Sequence, residues 1–268
     1  MIRIKGHGAV YGEVWYEEEP PHDPGVDIVL YRQRAAPIAD ARHAPFLSLV
    51  SDLSVEEHLI PEKFSKECRY EIRRADTKDG LRMEFVSAPE TRLREFRMFY
   101  DAFAREKSLP PSSPQWLHAA CNAHQLALTS ASRNGEVLVW HAYVVTGNSV
   151  RLEYSGSCFR NRESHYRSLV GRANRWLHWQ DMLRFRELGM ERYDWGGVFE
   201  DEDTPDRAGI NFFKKEFGGQ PERTYDCTVP VTVRGRVWLP LRDAWRRRKS
   251  ILDLRNVIER RQGRWRRS

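Results

Sequence analysis

Two carboxylates, a lysine pair and a cluster of arginines are the side chains whose types and spacing suit chemistry in this sequence. Glu153 lies in Leu152-Glu-Tyr-Ser-Gly156 and Asp194 in Tyr193-Asp-Trp-Gly-Gly197. Both segments read as strands, which would place the two carboxylates where either could act as a general base. Asp194 has a second reading, holding the turn that follows it through backbone hydrogen bonds. Arg160, Arg162, Arg167 and Arg172 surround the start of a long helix expected over 164–188. Free N–H groups, the helix dipole and the arginine forks favour a pyrophosphate there; solvation, or pairing with Glu163, is the plain alternative. His178 sits between Trp176 and Trp179 on that helix and reads more readily as a packed residue than as a catalyst. Lys214 and Lys215 close a later helix, where the dipole alone favours a cation by about 0.3–1 kcal/mol.

Other chemistries lack their signatures. The 9 histidines form no H-E-x-x-H or similar ligand pair, so no metal is expected. Cys68, Cys121, Cys158 and Cys227 contain no C-x-x-C pair and read as reduced thiols. There is no G-x-S-x-G elbow, which points to direct transfer without a covalent enzyme intermediate. With 12% aromatic and 40% hydrophobic residues in 268, the chain can bury a sizeable core and is not disordered. The start, Met-Ile-Arg-Ile-Lys, lacks the pattern of a secretory signal, and no apolar run approaches the ~20 residues that span a bilayer. A cytoplasmic globular protein is the expectation.

The elements that must position these residues follow a regular rhythm. Strands are expected at Asp27–Arg32 and Phe46–Val50. Ser54 three residues before Glu57 reads as a capping box, followed by a helix over Pro61–Asp76 with Phe64, Cys68, Ile72 and Ala75 on one face. Leu81, Met83 and Phe85 alternate as a strand, and Ser87-Ala-Pro-Glu90 opens a helix that Leu109-Pro-Pro111 ends. Three strands, 125–133, 136–146 and 149–157, are separated by Asn134-Gly135 and Gly147-Asn148, dipeptides that suit tight hairpins. The long helix, a strand at 192–195, a helix from Thr204-Pro205 to Gly218-Gly219 and a strand at 224–233 complete an α/β (α+β) arrangement around a mixed sheet.

Several of these segments carry a resemblance. Tyr193-Asp-Trp-Gly-Gly197 followed by Gly209-Ile-x-x-Phe-Lys-x-x-Phe-Gly-Gly219 resembles the signature of the FemABX-like (BioF2-like) acyltransferases of the GNAT superfamily. Phe64-Ser-Lys-x-x-Arg-x-x-Ile-Arg-Arg-Ala75, Leu152-Glu-Tyr-Ser-Gly156 and Ala173-Asn-x-x-Leu-His-Trp179 resemble the family's preceding helix, central strand and cofactor-side helix, so the similarity covers about residues 60–225. The resemblance implies a GNAT-type sheet flanked by helices over 88–233, preceded by a shortened second copy over 1–87. It implies that Lys214, in the Phe-Lys-x-x-Phe match, stabilises negative charge on the donor or reacting centre. It implies also that backbone N–H groups near Tyr154–Ser157, with Gly156 allowing a bulge or close approach, polarise the acyl carbonyl. Tyr154, Gly156, Arg167 and Arg172 are then donor-side residues, and Glu153 and Asp194 the candidate bases. Lys66 and Arg73, on the helix before residue 76, are acceptor-side candidates, with a solvated charged face interleaved with Glu67 and Glu71 as the other reading.

Charge singles out the C-terminus. From Arg234 to Ser268 there are 13 Arg or Lys against 3 Asp or Glu, a net of +10; the whole chain is +6, so residues 1–233 sum to about −4. Within 236–268, Trp and aliphatic residues recur among the arginines, a pattern suited to an anionic membrane surface, or to nucleic acid, or to a partly packed terminus. The sequence thus predicts an enzyme moving an acyl or aminoacyl group from an activated carrier, an acyl-CoA, onto an amine of an amino sugar or cell-envelope precursor at the inner membrane face. Alternatives are a transferase using aminoacyl-tRNA on a peptidoglycan precursor, which would bring nucleic acid as a partner, and a non-catalytic adaptor with this fold.

Overall fold

The computed structural model describes residues 1–6, 8–16, 18–21, 25–158, 163–200 and 205–245. Arg160, Arg162 and the tail beyond residue 245 lie outside the described residues. In chain order the elements are β1 (Ile2–Lys5), β2 (Val10–Trp15), β3 (Ile28–Arg34), β4 (Arg42–Asp52), α1 (Lys66–Lys78), β5 (Arg82–Phe85), α2 (Pro89–Lys107), α3 (Pro114–Asn122), β6 (Leu126–Arg133), β7 (Glu136–Thr146), β8 (Ser149–Ser157), α4 (Ser164–Glu187), β9 (Arg192–Gly197), α5 (Pro205–Lys215) and β10 (Gln220–Pro230). A last helix occupies 233–245.

The ten strands of the described residues join one mixed sheet in the order β1-β2-β3-β10-β4-β9-β8-β7-β6-β5. The boundary expected near Ser87–Pro89 falls between β5 and α2, and the sheet is continuous across it because β5 pairs with β6. β10 lies between β3 and β4, antiparallel to both, so the end of the chain completes the sheet begun by its N-terminal strands. β7 shows how the core is split. Val139 and Tyr143 point to the face covered by α1 and α4, whereas Trp140, Ala142 and Val144 point to the face covered by α2 and α3. The period-2 alternation thus gives both faces a buried apolar layer.

Local signals explain most element ends and misplace two. Asn134 and Gly135 both take positive φ (52° and 81°), as the β6–β7 hairpin requires. Gly218 (φ +66°) is obligatory, since a Cβ there would come within 2.1 Å of the Lys63 carbonyl oxygen. Ser54 does not cap a helix; it bonds Asp52, two 3-10 turns follow, and Ser65 caps α1 by accepting from the Cys68 N–H at 3.0 Å. The later start arises because Pro61 sits in the second of those turns and Phe64 is extended (ψ 150°), which separates the turns from the α-helix. Likewise Ser87 is not the cap of α2, whose N-cap is Ala88 with Pro89 as the first helical residue.

Candidate active site

The sheet opens at its centre. β8 and β9 are parallel and pair only at Ser149–Arg192, Val150–Tyr193 and Arg151–Asp194, after which they part. Two local features shape the gap. On β8, Ala142 faces Tyr154 and Tyr143 faces Leu152, so Glu153 is the extra residue of a β-bulge. A bulged residue is left out of the ladder, which frees its backbone groups for another partner. On β9, Gly196 adopts φ +71°, and a Cβ there would lie 2.9 Å from the Leu152 carbonyl oxygen. Only glycine lets β9 turn away this close to β8.

Two cavities meet at the gap. One, of about 530 Å³, is lined by Leu152, Glu153 and Ser155 of β8, Trp195 to Gly197 of β9, Asn174 and His178 of α4, and Phe213 and Lys214 of α5. The other, of about 390 Å³, is lined by Glu13, Trp15, Arg32, Trp116, Tyr154 and Asp226. They share Arg151 and Glu153. These two side chains form an ion pair, and the Arg151 guanidinium also lies over Trp15 (4.9 Å) and Phe46 (5.7 Å).

Lys214 reaches the gap from α5. Its ammonium donates to the Gly197 carbonyl at 2.7 Å. Burial, with the Arg151 charge adding to it, pushes its pKa down to about 8, while Asp194 opposes the shift. Glu153 lines both cavities, and Tyr154 borders the smaller one, its hydroxyl accepting from the Ser113 N–H at 3.2 Å. Burial raises the Tyr154 hydroxyl to about 12, so it stays protonated at neutral pH. Gly156 packs against Tyr100 and Phe103, where a Cβ would make contacts of 3.4 and 3.6 Å.

The remaining sequence candidates lie elsewhere. Asp194 is fully buried and lines neither cavity. One oxygen accepts from the Gly196 N–H (2.8 Å) and the other from Gln33 (2.8 Å), Ser48, Tyr16 and Arg192, the arrangement of a residue that fixes the turn at the gap. Arg172 is buried and donates from Nε and Nη2 to the two oxygens of Asp79 (2.6 and 3.1 Å), tying α4 to the end of α1. Arg167, Lys66 and Arg73 are exposed and line neither cavity.

A group of which the sequence reading weighed only His178 sits beneath the larger cavity. His141 and Tyr143 project from one face of β7, and Asn174, His178 and Asp181 project from α4 at i, i+4 and i+7. His141 Nδ1 lies 2.7 Å from Asp181 Oδ2 and its Nε2 2.8 Å from Asn174 Oδ1. Tyr143 donates to the same Asp181 oxygen at 2.5 Å, Tyr193 lies 2.8 Å from Tyr143, and His178 Nδ1 2.8 Å from Tyr193. Among the described residues, atoms of His141, His178 and Asp181 come within 4.8 Å of one another, close enough for one ion. Both His141 nitrogens and His178 Nδ1 are already engaged in hydrogen bonds, so the arrangement is that of a polar network. The signal for it was a polar i, i+4, i+7 stripe on the buried face of α4.

The comparisons agree with this geometry. Similar solved structures include FemX (TM-score 0.56, 13% identity, 67% of this chain and 61% of that one). Another is the C-terminal DUF2156 domain assigned to a lysylphosphatidylglycerol synthetase of Agrobacterium fabrum (TM-score 0.53, 14% identity, 88% and 85% covered). A third is a conserved Bacteroides thetaiotaomicron protein of unknown function (TM-score 0.51, 12% identity, 75% and 69% covered). This chain therefore spans about three fifths of the length of FemX. No curated protein sequence matches it. The model of the acetyltransferase (GNAT) domain matches residues 62–214, more than half of the chain, including β8, β9 and α4. The chain therefore belongs to the GNAT acetyltransferase family.

Proposed function

We propose that this enzyme moves an acyl or aminoacyl group from an acyl-CoA-type carrier to an amine of an amino sugar or cell-envelope precursor. The observation that carries the reading is the pair of cavities meeting only at Arg151 and Glu153, where β8 and β9 part. Two substrates can approach one point from separate chambers, as a direct transfer needs. The donor's acyl carbonyl occupies the larger chamber, against the backbone N–H freed by the bulge at Glu153. A correctly placed donor of this kind lowers the barrier by about 3–4 kcal/mol. The Lys214 ammonium at the same wall stabilises the negative charge that develops. The acceptor amine enters by the smaller chamber, and the Glu153 carboxylate takes the proton that makes it nucleophilic.

Calorimetric titration with acetyl-CoA and with free CoA tests the donor. Micromolar binding, about −8 kcal/mol, is expected. Absence of binding by both overturns the thioester donor and favours aminoacyl-tRNA, whose binding would be steeply salt-dependent.

The helix 233–245 supports a membrane-face location. Its inner side is anchored by Leu239, which is buried, and by Trp238, which donates to Tyr11 at 2.8 Å. Its outer side exposes Val233, Val237, Leu241 and Trp245 at i, i+4, i+8 and i+12, beside exposed Arg234 and Arg236. An apolar stripe edged by arginines suits an anionic bilayer. Removing residues 244–268, which takes away Trp245 and ten of the thirteen cations of 234–268, should sharply weaken binding to anionic vesicles; undiminished binding refutes the role of the tail.

A further inference from the structure

The network beneath the larger cavity has a direction. Tyr143 gives its only hydroxyl hydrogen to Asp181 at 2.5 Å. Its oxygen is therefore left to accept from Tyr193, 2.8 Å away. With that hydrogen spent, the Tyr193 oxygen is left to accept from His178 Nδ1, also at 2.8 Å. A proton on Nδ1 of a neutral imidazole leaves Nε2 bare. His178 Nε2 is the one ring nitrogen of this network without a hydrogen-bond partner, in a residue that is 1% exposed and lines the cavity holding Lys214 and Glu153.

We propose that His178 is a catalytic proton carrier of the transfer, held in its Nδ1–H tautomer by the chain Tyr193–Tyr143–Asp181. The inference rests on the acyl transfer proposed above and adds the proton route that transfer needs. An acceptor arriving as an ammonium must lose two protons to become an amide nitrogen. Glu153 takes the first. As the nitrogen–carbon bond forms, the second passes to His178 Nε2. As the carbon–sulfur bond breaks, its electron pair goes to sulfur, and the proton passes from Nε2 to that sulfur. The products are an amide and a thiol, and the imidazole returns neutral. Tyr193, Tyr143 and Asp181 are positioning residues: the chain orients the ring and lends the Asp181 charge to the transient imidazolium, the logic of a nucleophile–histidine–aspartate triad.

The ring is prepared for this. It stacks on His141 at 4.0 Å and is enclosed by Trp195 (4.7 Å), Phe213 (5.6 Å) and Phe217 (5.7 Å), so its rotamer is fixed by packing. The titratable groups around it are His141 and Tyr143 from β7, Arg175 and Asp181 from α4, Tyr193 from β9 and Lys214 from α5. Burial, then His141, Lys214 and Arg175, push the His178 pKa well below the usual value, which keeps it neutral at rest and quick to release a proton to the leaving sulfur.

The tautomer can be observed without a substrate. In the full-length protein with 15N-labelled histidine, two-bond 1H–15N correlation should show His178 neutral with its proton on Nδ1 at pH 7; the His178→Gln spectrum assigns the signal. In Asp181→Asn the amide can donate where the carboxylate accepted, which reverses the chain and moves the His178 proton to Nε2. Tyr193→Phe, which removes only one hydroxyl, should leave a mixture of tautomers. In turnover assays His178→Gln should lower kcat about 10²–10⁴-fold with CoA affinity unchanged. A wild-type Nε2–H tautomer, an unaltered tautomer in both variants, or His178→Gln turnover within threefold of wild type overturns the proposal. The donor titration stands apart from these readouts, so failure of the thioester reading and failure of the proton route are distinguishable.

Discussion

Two buried aspartates lie on opposite sides of the same gap and solve opposite problems. Asp194 and Asp181 are both fully buried. Both Asp194 oxygens are taken up by a ring of donors from β2–β3, β4 and its own turn. Asp181 holds Tyr143 and His141 through one oxygen, and from Tyr143 a chain of hydrogen bonds runs through Tyr193 to His178, which lines a cavity and keeps Nε2 unpartnered. A closed network specifies structure, whereas one left open at a residue that lines a chamber can pass a proton. The sequence motif points to Asp194, and the geometry gives the chemistry to the other acid's network.

The largest effect that tests this contrast is on stability. Asp194→Ala strips acceptors from Gln33, Ser48 and the Gly196 N–H at once, and leaves Arg192 without one of its two carboxylate partners. Removing one partner from such a buried set costs about 3–5 kcal/mol. Urea denaturation should show that loss through a lower midpoint at unchanged slope. If Asp194→Ala keeps its stability but loses turnover, the comparison is reversed and Asp194 is the base.

Lys214 gives a smaller effect, of opposite sign. Its pKa falls from 10.5 to about 8 on folding. Between pH 8 and 10.5 the unfolded chain therefore binds more protons, and this site's contribution to stability rises with pH across that window. At neutral pH the cost of burying the charge is fully present, about 1–3 kcal/mol after allowing for partial solvent contact. Lys214→Met should thus raise the melting temperature at pH 7 while abolishing turnover. In the wild type, kcat should decline as pH rises through about 8, where the ammonium is lost. A stabilised variant that keeps full turnover would remove Lys214 from the reaction.

How much of this was legible in the sequence follows from the range of each signal. The hairpin strands β6 to β8, α4 and α5 were legible because turn dipeptides, periodicity and the proline and glycine at helix ends act within a few residues. β1, β2 and α3 were not, since four to nine residues hold too few repeats for a period to stand out. The insertion of β10 between β3 and β4 is a long-range pairing that no local pattern encodes. At the site, the motifs led to Glu153 and Lys214, which do meet at the gap. They did not lead to Arg151, the shared wall, or to His141 and Asp181, whose partners across the β7–α4 interface lie 33 to 40 residues away. Arg172 was misread because its carboxylate partner, Asp79, lies on another element.

The smallest expected effect concerns the exposed cations. Lys66, Arg73 and Arg167 were reasonable phosphate ligands by charge alone, yet each is solvated and outside both chambers. Alanine at each should shift stability by no more than about 0.5 kcal/mol, because an exposed side chain away from the core has little to lose. KM for both substrates should also stay within about fivefold, since a screened surface charge contributes under about 1 kcal/mol. A selective rise in donor KM for Arg167→Ala would place the donor's phosphates at the start of α4, beyond the wall of the larger chamber. In that case the donor runs from that helix end to Lys214, and the His178 network lies under its reactive carbonyl rather than beside it.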